Sequence, residues 1–236
     1  MSTDVLFTKD NINTYLKELG KEFRKLNGTK VPAEIILIGG AAVLANYGFR
    51  EMTNDIDAII LSTSAMKEAV NNVGDRMGLP NGWMNMDFKK TKSFSNKLLE
   101  VSKYYRTYSN ILTVRTISAE YLVAMKLMSG RRYKNDLSDI AGIFLEHQKA
   151  GAPITQEAVD NAVIKLYGDW DEIPENSKKL IGAVFESEDY ESFYLYSREN
   201  EIKSKEILED FDRRNPGKLR GEGIDSILEQ ARKKLT

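Results

Sequence analysis

Along the chain, stretches in which apolar side chains return every three or four residues alternate with shorter runs in which they crowd together, and this alternation predicts the elements. Ile12, Tyr15, Leu16, Leu19, Phe23 and Leu26 share one face of a helix that Thr8 or Asp10 caps and Asn27-Gly28 ends. Ala33 to Ile38 is a short apolar run rich in β-branched residues, hence a strand. Gly39-Gly40 then forms a tight turn, and Ala41 to Tyr47 reads as a short helix stopped by Gly48. Asp55 to Leu61 starts with carboxylate and apolar residues in alternation and becomes wholly apolar, as a strand does on passing from an exposed edge into a core. A helix carrying Met66, Val70, Val73 and Met77 follows, capped by Ser62 or Ser64 and ended by Gly78-Leu79-Pro80.

Asn81 to Lys97 reads as a loop anchored by Trp83-Met84, and Leu98 to Tyr104 fits strand and helix equally by pattern. Ile111 to Ile117 is a strand, Ser118 caps a helix from Ala119 to Ser129 that Gly130 ends, and another helix runs from about Asn135 to Gln148. Beyond Gly151-Ala152-Pro153 only helical spacing is found: a helix capped by Thr155 and reaching Tyr167, a helical pattern from Ser177 to Asp212 broken by Asn215-Pro216-Gly217, and a last helix from Ile224 to Leu235. The expected class is α+β: a mixed sheet with flanking helices in residues 1–150, followed by an all-helical region in residues 151–236.

Composition narrows the chemistry. There is no cysteine and a single histidine, His147, so disulfides, thiolate zinc sites, cysteine nucleophiles and multi-histidine metal centres are excluded, and any metal must sit on carboxylates. His147 ends an amphipathic helix and is expected to serve the helix dipole rather than catalysis. The start of the chain lacks a basic flank followed by an apolar run, and no stretch offers about 18 uninterrupted apolar residues. A cytoplasmic protein with no membrane span is therefore expected. The formal net charge of −1 conceals two blocks. Phe88 to Asn135 holds eleven Lys and Arg against two acids, a local +9, while Asp169 to Asp212 holds fourteen Asp and Glu against five bases, a local −9. The basic block suits a polyanion. Trp83 and the Tyr104, Tyr105 and Tyr108 group beside Lys103 and Arg106 are candidates for stacking a base, with core packing as the alternative.

Two features on consecutive strands carry the candidate chemistry. Glycines at Gly39 and Gly40 let backbone N–H groups and a helix N-terminus approach an anion. Asp55 and Asp57, two apart on a strand, project to one face and can hold one or two divalent cations. Together they would seat Mg²⁺ and the phosphates it bridges, as phosphoryl or nucleotidyl transfer requires. Arg50 and Thr53 flank the metal strand within reach of phosphate. Lys126 lies in a nearly continuous apolar run and needs a partner or ligand once desolvated. Asp136 and Asp139 stand one helical turn apart, placed to pair with Lys126 or Arg131.

Ile35-Ile36-Leu37-Ile38-Gly39-Gly40-Ala41-Ala42-Val43 followed by Arg50-Glu51-Met52-Thr53-Asn54-Asp55-Ile56-Asp57-Ala58-Ile59 resembles the core of the DNA polymerase β-like nucleotidyltransferase superfamily. Gly78-Leu79-Pro80 with Trp83-Met84-Asn85, then Tyr121 to Met128, Gly130-Arg131 and Asn135-Asp136-Leu137-Ser138-Asp139-Ile140, resemble its bacterial AbiEii-type, toxin-like branch; the likeness spans about residues 33–145. It implies a nucleotidyltransferase-type mixed sheet and a Mg²⁺- or Mn²⁺-dependent enzyme moving NMP from an NTP to an RNA such as a tRNA, to a protein or to a small molecule. Such an enzyme would be the toxin of a toxin–antitoxin or phage-defence system, with an antitoxin as partner. It further implies Asp55 and Asp57 as metal ligands, catalytic roles for Asp55, Asp57, Lys126 and Asp136, and nucleotide contacts from Gly39, Gly40, Arg50, Thr53 and Arg131. Two departures are present: Ala41 replaces a frequent Ser, removing a phosphate-contacting hydroxyl, and Asn135 stands where relatives carry Arg. For a third carboxylate the candidates are Glu100 and Asp87. The alternative is a catalytically inactive nucleotidyltransferase-fold protein that binds nucleotide or acts as an antitoxin-type partner.

Overall fold

The computed structural model describes residues 6–29, 31–61, 64–131, 133–187, 189–219 and 223–233; Ser62 and Leu235, named above, and Arg132 of the basic block lie outside them. Contacts divide the chain into two compact units, Met1–Met128 with Ile154–Glu172 and Ser129–Pro153 with Ile173–Thr236. The protein is of mixed α+β class, with its strands in the N-terminal part and, among the described residues, helices alone in the C-terminal half.

The first unit opens with strand β1 (Phe7–Thr8) and helix α1 (Lys9–Asn27). Thr8 starts α1 through a reciprocal pair: its hydroxyl accepts from the Asn11 N–H, and the Asn11 side chain accepts from the Thr8 N–H at 2.8 Å. Two first-turn donors are thereby satisfied. The buried face of α1, formed by Ile12, Leu16, Leu19 and Phe23, is fully sequestered. Each such side chain contributes roughly 1.5–3 kcal/mol of burial. Five strands form a mixed sheet among the described residues. They are β2 (Ala33–Leu37), β4 (Ile56–Leu61), β5 (Met84–Asn85), β6 (Ser102–Tyr108) and β7 (Leu112–Ile117), in the order β5-β4-β2-β7-β6. The central β2 is antiparallel to β4 and parallel to β7. Its apolar run is the one that two buried faces require. A separate ribbon pairs β1 with β3 (Met52–Thr53).

Helices α2 (Gly39–Asn46), α3 (Ser64–Met77), α4 (Leu98–Val101), α5 (Ala119–Ser129) and α7 (Gln156–Tyr167) complete this part of the chain. Three local readings are refined. The predicted loop 81–97 contains β5, which pairs with β4, and a 3₁₀ turn at Asp87–Lys90. Leu98 to Tyr104 is both helix and strand, α4 passing directly into β6. The glycine pair is not a separate turn but the first turn of α2.

The second unit contains α6 (Asp136–Lys149), α8 (Glu175–Glu186), α9 (Tyr190–Arg214) and α10 (Ile224–Lys233). Phe144 of α6 meets Phe185 and Tyr190 edge-on, with centroids 5.3 and 5.7 Å away. The pattern read as continuous from Ser177 to Asp212 is two helices. Asp189 interrupts it because its carboxylate accepts from the Ser192 N–H at 2.9 Å and so starts a new helix. No helix among the described residues is long and apolar enough to cross a membrane.

Candidate active site

The antiparallel register of β2 and β4 decides the geometry. Leu37 lies opposite Ala58, and the Ile38 N–H donates to the Asp57 carbonyl at 3.0 Å, so the end of β2 that launches the glycines meets the start of β4 that bears the carboxylates. Gly39 has a φ of +54°, a left-handed conformation that glycine adopts without penalty. A Cβ at Gly39 would lie 3.4 Å from Asp57 Oδ2. A Cβ at Gly40 would lie 2.7 Å from Arg50 Nη2 and 2.8 Å from Thr53 Oγ1. The two glycines are therefore the floor of a cradle whose rim is Asp57, Arg50 and Thr53. Arg50 is anchored by its Nε, which donates to the Met52 carbonyl at 3.1 Å, and Thr53 is buried where β3 pairs with β1. Ile38 supplies no side-chain cap to α2, and the positive dipole end of this helix favours an anion.

Asp55 is exposed in the bend just before β4, and Asp57 is half-buried as the second residue of that strand. Strand alternation thus begins only at Ile56, so the two-apart spacing of Asp55 and Asp57 is not a strand pleat as the sequence suggested. Asn85, level with Asp57 on β5, places its amide 3.5 Å from Asp55 Oδ2. Among the described residues no group of three or more His, Asp or Glu is arranged to hold a metal. Two carboxylates with remaining positions left to phosphate oxygens and water are the donor set that suits Mg²⁺.

The third-carboxylate candidates are engaged elsewhere. Asp87 pairs with Lys90 at 2.7 Å. Glu100 pairs with Lys165 at 2.7 Å and Lys97 at 3.3 Å, and these cations, Lys165 first, hold its carboxyl below the usual range. Glu100 also precedes β6, three strands from β4, a separation of roughly 14 Å at about 4.8 Å per strand.

Lys126 is 6% exposed on α5, between Met125 and Leu127. In the second unit Asp136 is fully buried as the first residue of α6. Its Oδ2 accepts from Arg131 Nε at 2.9 Å and from the Arg131 backbone N–H at 3.3 Å, and its Oδ1 accepts from Arg131 Nη2 at 3.3 Å. Asp136 thus grips Arg131, while Asp139, 2% exposed, sits one turn further along α6. His147 is in the last turn of α6 with Nδ1 3.1 Å from the Ala152 carbonyl.

Of the two readings open for the aromatic candidates, packing holds for Trp83, Tyr105 and Tyr108. Trp83 is 2% exposed, stacks on Phe7 and donates its Nε1–H to the Val70 carbonyl at 3.0 Å, so it is core. Tyr105 and Tyr108 both donate to Asn13 Oδ1 on α1, and burial pushes the Tyr108 phenol up to about 12. Tyr104 is the exposed member of the three, at 62%. Sequence reasoning missed Glu201, a buried carboxylate on α9 that binds the start of α6. The signal was present: Ser197, Glu201, Ser204 and Leu208, spaced four, three and four, form the buried face of α9. Asn85 stood in the sequence only as part of the resemblance, without a place beside Asp55, because the segment holding β5 lacks strand periodicity.

A family model described as a nucleotidyltransferase of unknown function (DUF6036) matches residues 14–148, more than half of the chain. No curated protein and no solved structure matches it.

Proposed function

This chain belongs to the DUF6036 family of nucleotidyltransferases of unknown function, and we propose that it transfers NMP from an NTP to an RNA acceptor such as a tRNA end, as an AbiEii-type toxin in the cytoplasm with an antitoxin as partner. The observation that carries the reading is the cradle in which the register of β2 and β4 sets Gly39 beside Asp57 and Gly40 beside Arg50 and Thr53. The N–H groups of the first turn of α2 receive the triphosphate, and Arg50 and Thr53 fix its orientation from the rim. Asp55 and Asp57 are the residues that would hold Mg²⁺ or Mn²⁺. When bound, the cation neutralises phosphate charge and orients the leaving group.

Lys126 supplies a fixed positive charge to the developing phosphate charge. The acceptor hydroxyl forms a bond to the α-phosphorus as the bond to the β-bridging oxygen breaks, pyrophosphate leaves, and the hydroxyl proton passes to solvent. Arg131 and Asp136 enter through the resemblance alone, which implies a nucleotide contact for Arg131 and, for Asp136, the positioning of Lys126 or of the acceptor.

Ala41 and the lysine-paired Glu100 and Asp87 favour a second reading, a nucleotide-binding or antitoxin-type module without transfer. Thermal shift with each NTP, with and without Mg²⁺, followed by incubation with α-labelled NTP and total RNA, protein or small-molecule extract, separates the two. Metal-dependent stabilisation with a labelled RNA product supports transfer. Stabilisation without label in any fraction leaves the inert module, and no response to any NTP removes both.

A further inference from the structure

The N-cap of helix α6, Asn135, makes no side-chain capping bond. The N–H groups of Leu137 and Ser138 would be left without acceptors in a buried place. They are satisfied from more than sixty residues away. Glu201 Oε1 on α9 accepts from the Leu137 N–H at 2.8 Å and the Ser138 N–H at 3.2 Å, and Oε2 accepts from Ser138 Oγ at 2.5 Å. Glu201 is 3% exposed and Ser138 2%. The residue immediately before these donors is Asp136, whose carboxylate grips Arg131 by three bonds.

We propose that Glu201 is a positioning residue: by holding the first turn of α6 it fixes the Asp136 carboxylate and, through it, the Arg131 guanidinium. Its link to transfer rests on the function proposed above; the positioning itself does not. The residue lies outside the 14–148 span of the family match, so a helix beyond the shared region governs the geometry of a pair within it.

Nitrogen-15 NMR of the full chain reads the pair directly through the Arg131 Nε–H, assigned with an R131K variant. A shifted, slowly exchanging signal is expected in the wild type, retained in Glu201→Gln, which keeps an acceptor oxygen, and lost in Glu201→Ala. Steady-state kinetics are expected to show KM for NTP rising roughly tenfold or more in Glu201→Ala with kcat changed far less, and recovery in Glu201→Gln. If Glu201→Ala does not fold, Glu201→Asp, one methylene short, is expected to lose the signal instead. An unchanged Arg131 signal in a folded Glu201→Ala or Glu201→Asp protein overturns the positioning role. A wild type with the Arg131 signal but no transfer overturns the proposed function and leaves the positioning intact.

Discussion

At the scale of single residues, Gly40 is the position where one methyl group has the clearest effect. Its Cβ would meet the far end of Arg50 and the Thr53 hydroxyl at under 3 Å. The tip of Arg50 can shift, but Thr53 is buried and Arg50 is tied to the Met52 carbonyl, so Gly40→Ala is expected to cost about 1–3 kcal/mol of stability. Because the displaced groups are the rim of the cradle, NTP affinity should fall at least roughly tenfold, about 1.4 kcal/mol; calorimetry and urea unfolding on the same sample separate the two effects. Glu201 sets a pH dependence. Burial, its largest cause, pushes its carboxyl from 4.5 up to about 7, and the nearby Asp139 adds to this. A carboxyl with a raised pKa binds protons more tightly when folded, so its contribution to stability falls as pH rises from about 4.5 to about 7 and is level above that. Glu201→Gln should match the wild type near pH 4.5 and exceed it above pH 7 by an amount on the order of 3 kcal/mol, read from urea midpoints. Glu100→Gln, remote from β4 and paired with lysines, should leave transfer unchanged. The glycine pair, Asp55 and Asp57 were legible as candidates because strand spacing and turn chemistry are local properties. The grip of Asp136 on Arg131 and the docking of Glu201 were not, because they depend on which helices meet.

At the scale of elements, boundaries followed local chemistry closely wherever a cap or a β-branched run marked them. Thr8 and Thr155 both occupy the N-cap positions read from the chain, each accepting from an N–H three residues on. Thr8→Ala removes one half of a reciprocal pair and should cost about 1 kcal/mol, measured as a drop in the urea midpoint without change in slope. Pattern failed where an element is too short to show a period. β5 has two residues and exists because its backbone completes the edge of β4, and α4 has four residues ahead of a strand. The break at Asp189 was hidden because helical spacing is similar on both sides of it. The association of α6 with α9 joins segments far apart in the chain, beyond the reach of any local periodicity.

At the scale of the molecule, the net charge of −1 is a poor guide to partners, since a basic block and an acidic block of equal size cancel within it. Lys89, Lys92, Lys103 and Arg106 are exposed on the first unit, as is Tyr104. If these four contact RNA phosphates, the logarithm of the association constant should fall with the logarithm of salt concentration with a slope of roughly −3. Lys103→Glu combined with Arg106→Glu should make the slope shallower, as fluorescence anisotropy with a labelled single strand would show. The central claim is that the cradle between β2 and β4 transfers nucleotide. Its most direct test is incorporation of α-labelled NTP into total RNA by the wild type and by Asp57→Asn, with near-UV circular dichroism confirming that the variant is folded. Loss of at least about a hundredfold in the Mg²⁺-dependent rate of labelling is expected; equal labelling by the two proteins would contradict the account.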